Sequence, residues 1–536
     1  MVQIKNGNGG IQDFGRVTIL LGAFLMMVFA FKFFCAWSNC PDTWCDEVFY
    51  IEPAVHFAET GSYAAPGLAR QMTSYGVAGI DQCYYLNVPL GAYARVPIYA
   101  LAGTDLRGRR IADWTMLALA TLALLLVLQR WCSPLACLFG ANLFVLHSIL
   151  IENVGRPDNL SLALGLFAFA AWQRQAGTAR FWPAMGTGFL VGLSGLAHQF
   201  GAVFWGSIII VVMLVHDGRV LGWRLVARWL VWFGLGGLAG TVLPWLPQIG
   251  LAPGLWWQQY HYQLVHKAHL ARDFQAAFWF FAEDAIQNPV LLVILATGLC
   301  FLWQNATRRR QVLAVAAWVV LLLAWRCWSF EPYNPWYFVH FWALLCILAG
   351  LAIDCLRQGI SSQPGGKIGN GLLYVEMALA LLIGLLPQYL LACEVRVRSG
   401  AQIHARQVRL LHDHIAKQER VLAAPEFFFD VPSTNKTLWM WGEKLDLNQF
   451  DAVVAASKNV RTLASADQWL DCLTPDQASV FMTHYELEAS APPPASFGQR
   501  PTGPAKYLRR TAYAMGIISH TASADGCYIY RNQHPH

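Results

Sequence analysis

The sequence predicts an all-α polytopic membrane protein with about eleven transmembrane helices. It also predicts a long external loop after the first helix and a small C-terminal α/β domain outside the membrane. Three observations carry that prediction. The 536 residues are 56% hydrophobic and only 13% charged, about half the charge of a soluble chain. Apolar runs of membrane-spanning length recur from residue 17 to residue 392. Beyond residue 394 the composition shifts to more charge and more proline, with no such run.

Spans are expected at 17–37, 111–129, 133–151, 158–173, 182–197, 199–215, 229–249, 289–304, 311–327, 336–353 and 371–392. The first is too long for a signal-peptide core and lacks a small-residue cleavage pattern, so it reads as a span. Segment 84–103, "YYLNVPLGAYARVPIYALAG", reads either as a twelfth span or as a helix lying at the surface. Charge placement favours the surface. With 84–103 outside the membrane, eleven basic residues of the short loops fall on the N-terminal side and four on the other, as the positive-inside rule expects. That choice makes the N-terminus cytoplasmic. Residues 38–110, the loop 250–288 and the tail from 394 are then external. Arg107, Arg109 and Arg110 become external too, against the bias. The formal charge of +6 is explained by arginines at span ends, so nucleic acid is not an expected partner.

Cysteines within spans, such as Cys35, Cys300 and Cys346, read as small apolar fillers. Cys40, Cys45 and Cys83 in the first loop, and Cys472 and Cys527 in the tail, admit a disulfide in each region. No zinc-ligand spacing occurs.

Five segments that carry chemistry share the external side. Asp46 and Glu47 open "DEVFYIEPAVHFAETGSY", an interfacial helix in which Asp46 either caps the helix or serves as a general base. "GRPDN" brings Arg156 and Asp158 to the start of a span, where Pro157 and Asp158 are also ordinary helix-start residues. His198 sits in the tight turn "GLAHQFG". "QYHYQLVHKAHLARD" carries Lys267 and Arg272, suited to an interface helix or to a phosphate-binding wall. "EPYNPWYFVH" gathers Glu331, Tyr333, Trp336 and Tyr337 in a proline-broken turn, at a depth where aromatic belts are common.

In this order the motifs resemble the GT-C superfamily of integral membrane glycosyltransferases, in particular the branch with the protein O-mannosyltransferases and the lipid A aminoarabinose transferase. In that branch an acidic pair follows the first span, matched here by Asp46-Glu47. A surface helix follows, matched loosely by "NVPLGAYARVPIYALAG", then a span opening with Arg, here "GRRIADWTMLALA". An arginine–acid turn leads into a later span, here "GRPDNLSLALGLF". The likeness covers about residues 15–215, and 230–392 in general layout. Asn87 stands where the aminoarabinose transferase has a phosphate-binding Lys. His198-Gln199-Phe200-Gly201 replaces a Lys-Gly turn.

The resemblance implies transfer of a sugar, with inversion, from a polyprenyl-phosphate donor to a hydroxyl of a lipid, glycan or protein acceptor. The face would be periplasmic in a bacterial inner membrane, or lumenal in an ER membrane. Asp46 would be the base, with Glu47 and Asp158 orienting hydroxyls or holding a divalent metal ion, the one cofactor left open. A phosphate leaving group needs cations more than a general acid. Arg156, His198, Lys267 and Arg272 are the expected cations, with Glu331, Tyr333, Trp336 and Tyr337 as further substrate contacts.

In the tail, "AQIHARQVRLLHDHIAKQERVL" is expected as an amphipathic helix, and "EFFFDV", "FDAVVAAS" and "CYIYRN" as strands. Asn435-Lys436-Thr437 is a glycosylation sequon, relevant only to a eukaryotic host. The tail is expected to bind acceptor, close as a lid, or serve structure alone. Two rival readings are a transporter or flippase of lipid-linked or small solutes, and a non-catalytic subunit of a glycosylation complex. A transporter predicts ionisable residues deep in the spans and internal repeats, of which Lys32 is the clearest trace.

Overall fold

A computed structural model describes residues 11–38, 45–147, 155–175, 180–216, 222–268, 292–298, 338–361, 366–398, 400–439, 446–456, 461–462, 472–473, 475–491 and 527–533. The first helix, α1 (Ile11–Trp37), is followed by α2 (Cys45–Thr60), α3 (Pro66–Ser74), α4 (Leu90–Tyr93) and α5 (Val96–Ala102). The bundle continues with α6 (Leu106–Trp131), α7 (Pro134–Leu146), α8 (Asp158–Gln175), α9 (Phe181–Ala197), α10 (Gly201–His216) and α11 (Trp223–Val242). Next come α12 (Leu246–Leu251), α13 (Pro253–Ala268), α14 (Phe338–Ser361) and α15 (Gly366–Arg398).

Five of these helices are long and apolar enough to cross a membrane, within α1, α6, α11, α14 and α15, and α7, α9 and α10 are shorter apolar helices. The described helices fall on nine of the expected spans. The span expected at 311–327 lies outside the described residues, and 289–304 is described only over 292–298. The bundle is ordered as a lipid solvent requires. Helix α14 is almost wholly buried, whereas α1, α11 and α15 expose Ile19, Leu20, Leu238 and Leu372. Helices α9 and α11 touch backbone to backbone: a Cβ on Gly192 would lie 2.2 Å from the Gly237 carbonyl oxygen.

One open alternative closes against a span, as charge placement favoured, and two expectations change. Segment 84–103 is two short helices, α4 and α5, neither able to cross about 30 Å of hydrocarbon, because Pro89 and Pro97 restart the chain. The expected span 229–249 ends at Val242, and Pro247 opens α12 as a separate helix. Cys83 and Cys527 are free thiols, so neither takes part in a disulfide. The Cys40 position and the Cys45 side chain lie outside the described residues.

The tail folds as helix α16 (Gly400–His414) followed by a five-stranded sheet of order β2-β1-β3-β7-β6. Its strands are β1 (Arg420–Ala423), β2 (Asn435–Leu438), β3 (Ala452–Ala455), β6 (Tyr485–Ala491) and β7 (Cys527–Asn532). Strand β1 runs parallel to β2 and β3, and β7 is antiparallel to β3 and β6. A separate short pair joins β4 (Arg461–Thr462) to β5 (Cys472–Leu473), and helix α17 (Pro475–His484) precedes β6. The expected amphipathic helix stops at His414, because "RVLA" is drawn into the sheet between β2 and β3. "EFFFDV" is not a strand. Its start is a 3-10 turn over Pro425–Phe427, and Phe427, Phe428 and Val431 are buried. The sequon lies on β2, where Thr437 is only 3% exposed and the Asn435 amide donates to the Gln418 carbonyl.

One hydrophobic core joins this sheet to the first loop. Val48, Ile51 and Ala54 of α2, Leu68 of α3 and Tyr84 pack with Leu411, Val421, Phe428 and Ile529. Glu52 is buried at this junction, where its Oε1 accepts from the Gly67 amide at 2.6 Å. Burial pushes its carboxyl up to about 8, against the pull of the Gly67 amide and of Lys436. Burial also lowers Lys436, against Glu52 and Asp430.

Glu52 is protonated in the fold over a range where the unfolded chain ionises, so folding takes up a proton there. Stability from this group is full below about 4.5 and is lost as pH rises towards about 8. Lys436 acts in the opposite sense as pH approaches 10.5. We predict that the melting temperature of the wild type declines across the Glu52 window, and that Glu52→Gln flattens this slope. Parallel pH profiles of the two proteins would disprove it.

Candidate functional site

The functional end of the bundle is assembled around a buried carboxylate. Glu47 lies in the first turn of α2 with no exposed surface. Arg110, from the first turns of α6, grips it with two bonds: Nη1 donates to Oε1 at 2.6 Å and Nη2 to Oε2 at 2.9 Å. Arg109 Nη1 stands 3.7 Å from the same Oε1. The arginines that opposed the charge bias are therefore the counter-ions of Glu47. Neighbouring Arg107 stacks over Trp37, 4.6 Å from the ring centroid.

Asp113, one turn along α6, extends the network. It accepts from Arg110 at 3.1 Å, from Arg95 at 2.8 Å and from the Gly155 amide at 3.0 Å. The Arg95 guanidinium also donates to the Arg156 carbonyl at 3.1 Å. Residues 155–158 are thus tied to α2, to the α4–α5 link and to α6. Gly155 has φ +73°, and a Cβ there would lie 2.1 Å from Glu47 Cγ. Only glycine meets both demands, the left-handed backbone and the contact with Glu47.

This turn delivers Arg156 and Asp158. Arg156 Nε donates to Asp158 Oδ2 at 2.9 Å, and its guanidinium lies 5.1 Å from the centroid of the Tyr50 ring. Asp158 is fully buried at the start of α8, and His198, which ends α9, places Nε2 3.9 Å from Asp158 Oδ1. Paired serines hold these helices together: Ser194 Oγ donates to the Ser161 carbonyl and Ser161 Oγ to the Ser194 carbonyl.

Of the residues expected from sequence, Glu47, Arg156, Asp158 and His198 come together here. Asp46 is the second residue of α2, adjacent to Glu47, and its side chain lies outside the described residues. Lys267 falls within the bounds of α13 with its side chain likewise outside. Arg272, Glu331, Tyr333, Trp336 and Tyr337 are outside altogether.

Sequence reasoning passed over Arg95, Arg110, Asp113 and His340. The first three carried a signal: charges in apolar or amphipathic segments need partners. His340 of α14 accepts from Trp205 Nε1 at 3.2 Å through Nδ1, which places the proton of the neutral ring on Nε2. It lies within electrostatic range of Asp158 and His198.

A small cleft adjoins the network. It is lined by Phe49, Tyr50, Tyr63, Tyr84, Asn87, Val88, Gly91, Ala92, Arg95, Gly155 and Pro157. The Tyr84 hydroxyl donates to the Phe49 carbonyl at 2.7 Å and accepts from the Asn87 amide at 2.8 Å. Burial holds the Tyr84 hydroxyl well above its ordinary range, so it stays protonated. The pocket is thus walled by aromatic faces, with an amide and a guanidinium among its lining groups.

Among the described residues, the carboxylates placed here are taken up by guanidinium groups rather than arranged around a metal ion. Glu47 is saturated by guanidinium groups and Asp158 is paired with Arg156. Among the described residues no three His, Cys, Asp or Glu side chains form a metal-holding group.

Removing one partner of a buried ion pair costs about 3–5 kcal/mol, because the remaining charge stays buried. Arg110→Met is therefore expected to lower unfolding stability by about that amount. The double variant Glu47→Gln with Arg110→Met is expected to recover more than half of the loss. Additive losses, read from denaturant or thermal melts in detergent, would show that the pair is not coupled.

Compared by sequence, the chain matches no family model and no curated protein. Compared by shape, it matches solved structures over nearly its whole length. The crystal structure of ArnT from Cupriavidus metallidurans in the apo state covers 96% of this chain and 98% of its own, with a TM-score of 0.58 at 14% identity. The same protein bound to undecaprenyl phosphate covers 96% and 97%, with a TM-score of 0.59 at 13% identity. The arabinofuranosyltransferase AftD from Mycobacteria, solved by cryo-EM, covers 96% of this chain and 40% of its own, with a TM-score of 0.50 at 13% identity. The membrane bundle with its C-terminal sheet domain has the fold of ArnT and AftD, the kind of fold the sequence resemblance led one to expect.

Proposed function

We propose that this chain is a membrane glycosyltransferase that moves a sugar from a polyprenyl-phosphate donor to an acceptor hydroxyl, with inversion, at the end of the bundle that carries Glu47. The observation that carries the reading is the joining of three separate segments around one pocket. Helix α2, the 84–95 segment and the Gly155–Pro157 turn all line it, and the arginine–carboxylate network fastens them together. The match to ArnT, solved with undecaprenyl phosphate bound, supports a lipid-phosphate donor. Such a donor keeps its chain in the bilayer, which requires a site at the membrane face.

In this account Asp46 takes the proton of the acceptor hydroxyl as that oxygen attacks the sugar carbon opposite the phosphate. The phosphate departs as an anion and needs cations rather than an acid. Arg156 is the described candidate, with Lys267 and Arg272 as further ones. Glu47 and Asp158 act from behind the reacting groups. Their full burial and arginine partners support a positioning role: Glu47 holds the start of α2, and Asp158 aims Arg156. Tyr50 and Asn87, half-buried groups of the lining, offer a ring face and an amide to a sugar, and Tyr84 holds Asn87 in place. The enzyme faces the periplasm in a bacterial host, or the lumen in a eukaryotic one.

The test incubates purified full-length protein with radiolabelled polyprenyl-phosphate sugars and a native membrane extract. Label moves to an extract component with the wild type, and Asp46→Asn reduces turnover about 100-fold or more while melting normally. Near-normal turnover by that variant would remove Asp46 as the base. If the wild type moved no label but carried lipid-linked sugar across proteoliposomes, the chain would be a transporter.

A further inference from the structure

The tail motif "PEFFFD" has no part in the transfer chemistry above, yet it is built into the same network. The segment is stiffened from within: the Phe428 amide donates to the Pro425 carbonyl at 3.3 Å, and the Asp430 and Val431 amides donate to the Phe427 carbonyl at 2.9 and 3.0 Å. It is also held from outside. His404 of α16 places Nε2 3.5 Å from Asp430 Oδ1, and the Lys436 ammonium on β2 donates to the Val431 carbonyl at 3.2 Å.

Two rings project from this rigid turn onto the first loop. Phe428 seats on the start of α3, where a Cβ on Gly67 would lie 2.2 Å from its Cζ. Phe429 receives Arg109, whose guanidinium carbon lies 4.0 Å from the ring centroid. Arg109 has no exposed surface, and its other side faces Glu47 at 3.7 Å.

Arg109 therefore stands between Glu47 and the tail, beside a second cation, Arg110. Glu47 is already gripped by two bonds from Arg110, so the longer Arg109 contact does not suffice to hold two like charges together in a dry site. The ring face of Phe429 and the nearby Asp430 carboxylate add to what holds Arg109 there. A cation–π contact is stronger in a desolvated site such as this than at an exposed surface.

We propose that Phe429 is a positioning residue: through Arg109 it sets Glu47 and the start of α2, making the C-terminal sheet domain a working part of the site rather than an appendage. The effect on turnover rests on the transferase reading, but the positioning itself does not.

Hydrogen exchange followed by mass spectrometry on the full-length protein in detergent tests it without substrate. Phe429→Ala and Phe429→Leu are compared with Phe429→Tyr, which keeps the ring. Exchange over 45–60 and 106–114 rises several-fold in Ala and Leu and returns to the wild-type rate in Tyr, with β1 and β3 unchanged. If the Ala variant also opens the strands, the Leu variant, which fills the space without a π face, decides. Wild-type exchange over 45–60 in the Leu variant, or failure of Tyr to restore it, overturns the proposal. Because no sugar donor is used, this result stands apart from success or failure of the transfer assay.

Discussion

A buried carboxylate cannot be left unpaired, and at this end of the bundle that single constraint organises four separate pieces of chain. Glu47 needs Arg110, Arg110 also serves Asp113, and Asp113 binds Arg95 and the Gly155 amide. Breaking one of these contacts would strand a charge where water does not reach. The network thus fixes the first loop, the start of α6 and the turn before α8 as one unit. The apolar helices below it supply a frame, but nothing in their packing alone would select this arrangement of polar groups.

The same logic separates what contacts substrate from what supports it. Side chains with no exposed surface and arginine partners, such as Glu47 and Asp158, are suited to aim neighbours. The residue beside each, Asp46 and Arg156, is the one assigned to the reacting groups. Phe428 and Phe429 extend the support outward, so that the sheet domain and the membrane module share one core and one electrostatic cluster.

Much of this was legible in the residues. Apolar length and the arginine bias marked the spans, and the order of "DE", "GRR" and "GRPD" pointed to the fold that the shape comparison bears out. What sequence could not show was pairing across distance. Arg109 and Arg110 read as a topological anomaly because their partner, Glu47, is some sixty residues away. "EFFFDV" has the composition of a strand, and only the neighbouring Gly67 and Arg109 explain where Phe428 and Phe429 place their rings. "RVLA" was absorbed into a helix because its sheet partners, 435–438 and 452–455, follow it in sequence. Local patterns read local structure; the site is built from long-range bonds.

The central claim is that the donor phosphate sits at the Glu47 end of the bundle. A cryo-EM structure of the full-length protein saturated with undecaprenyl phosphate tests it most directly. The account predicts headgroup density at the Glu47 end of the bundle, beside Arg156 and the Gly155–Pro157 turn. Headgroup density at the opposite end, beside Arg130 or Arg224, would contradict it.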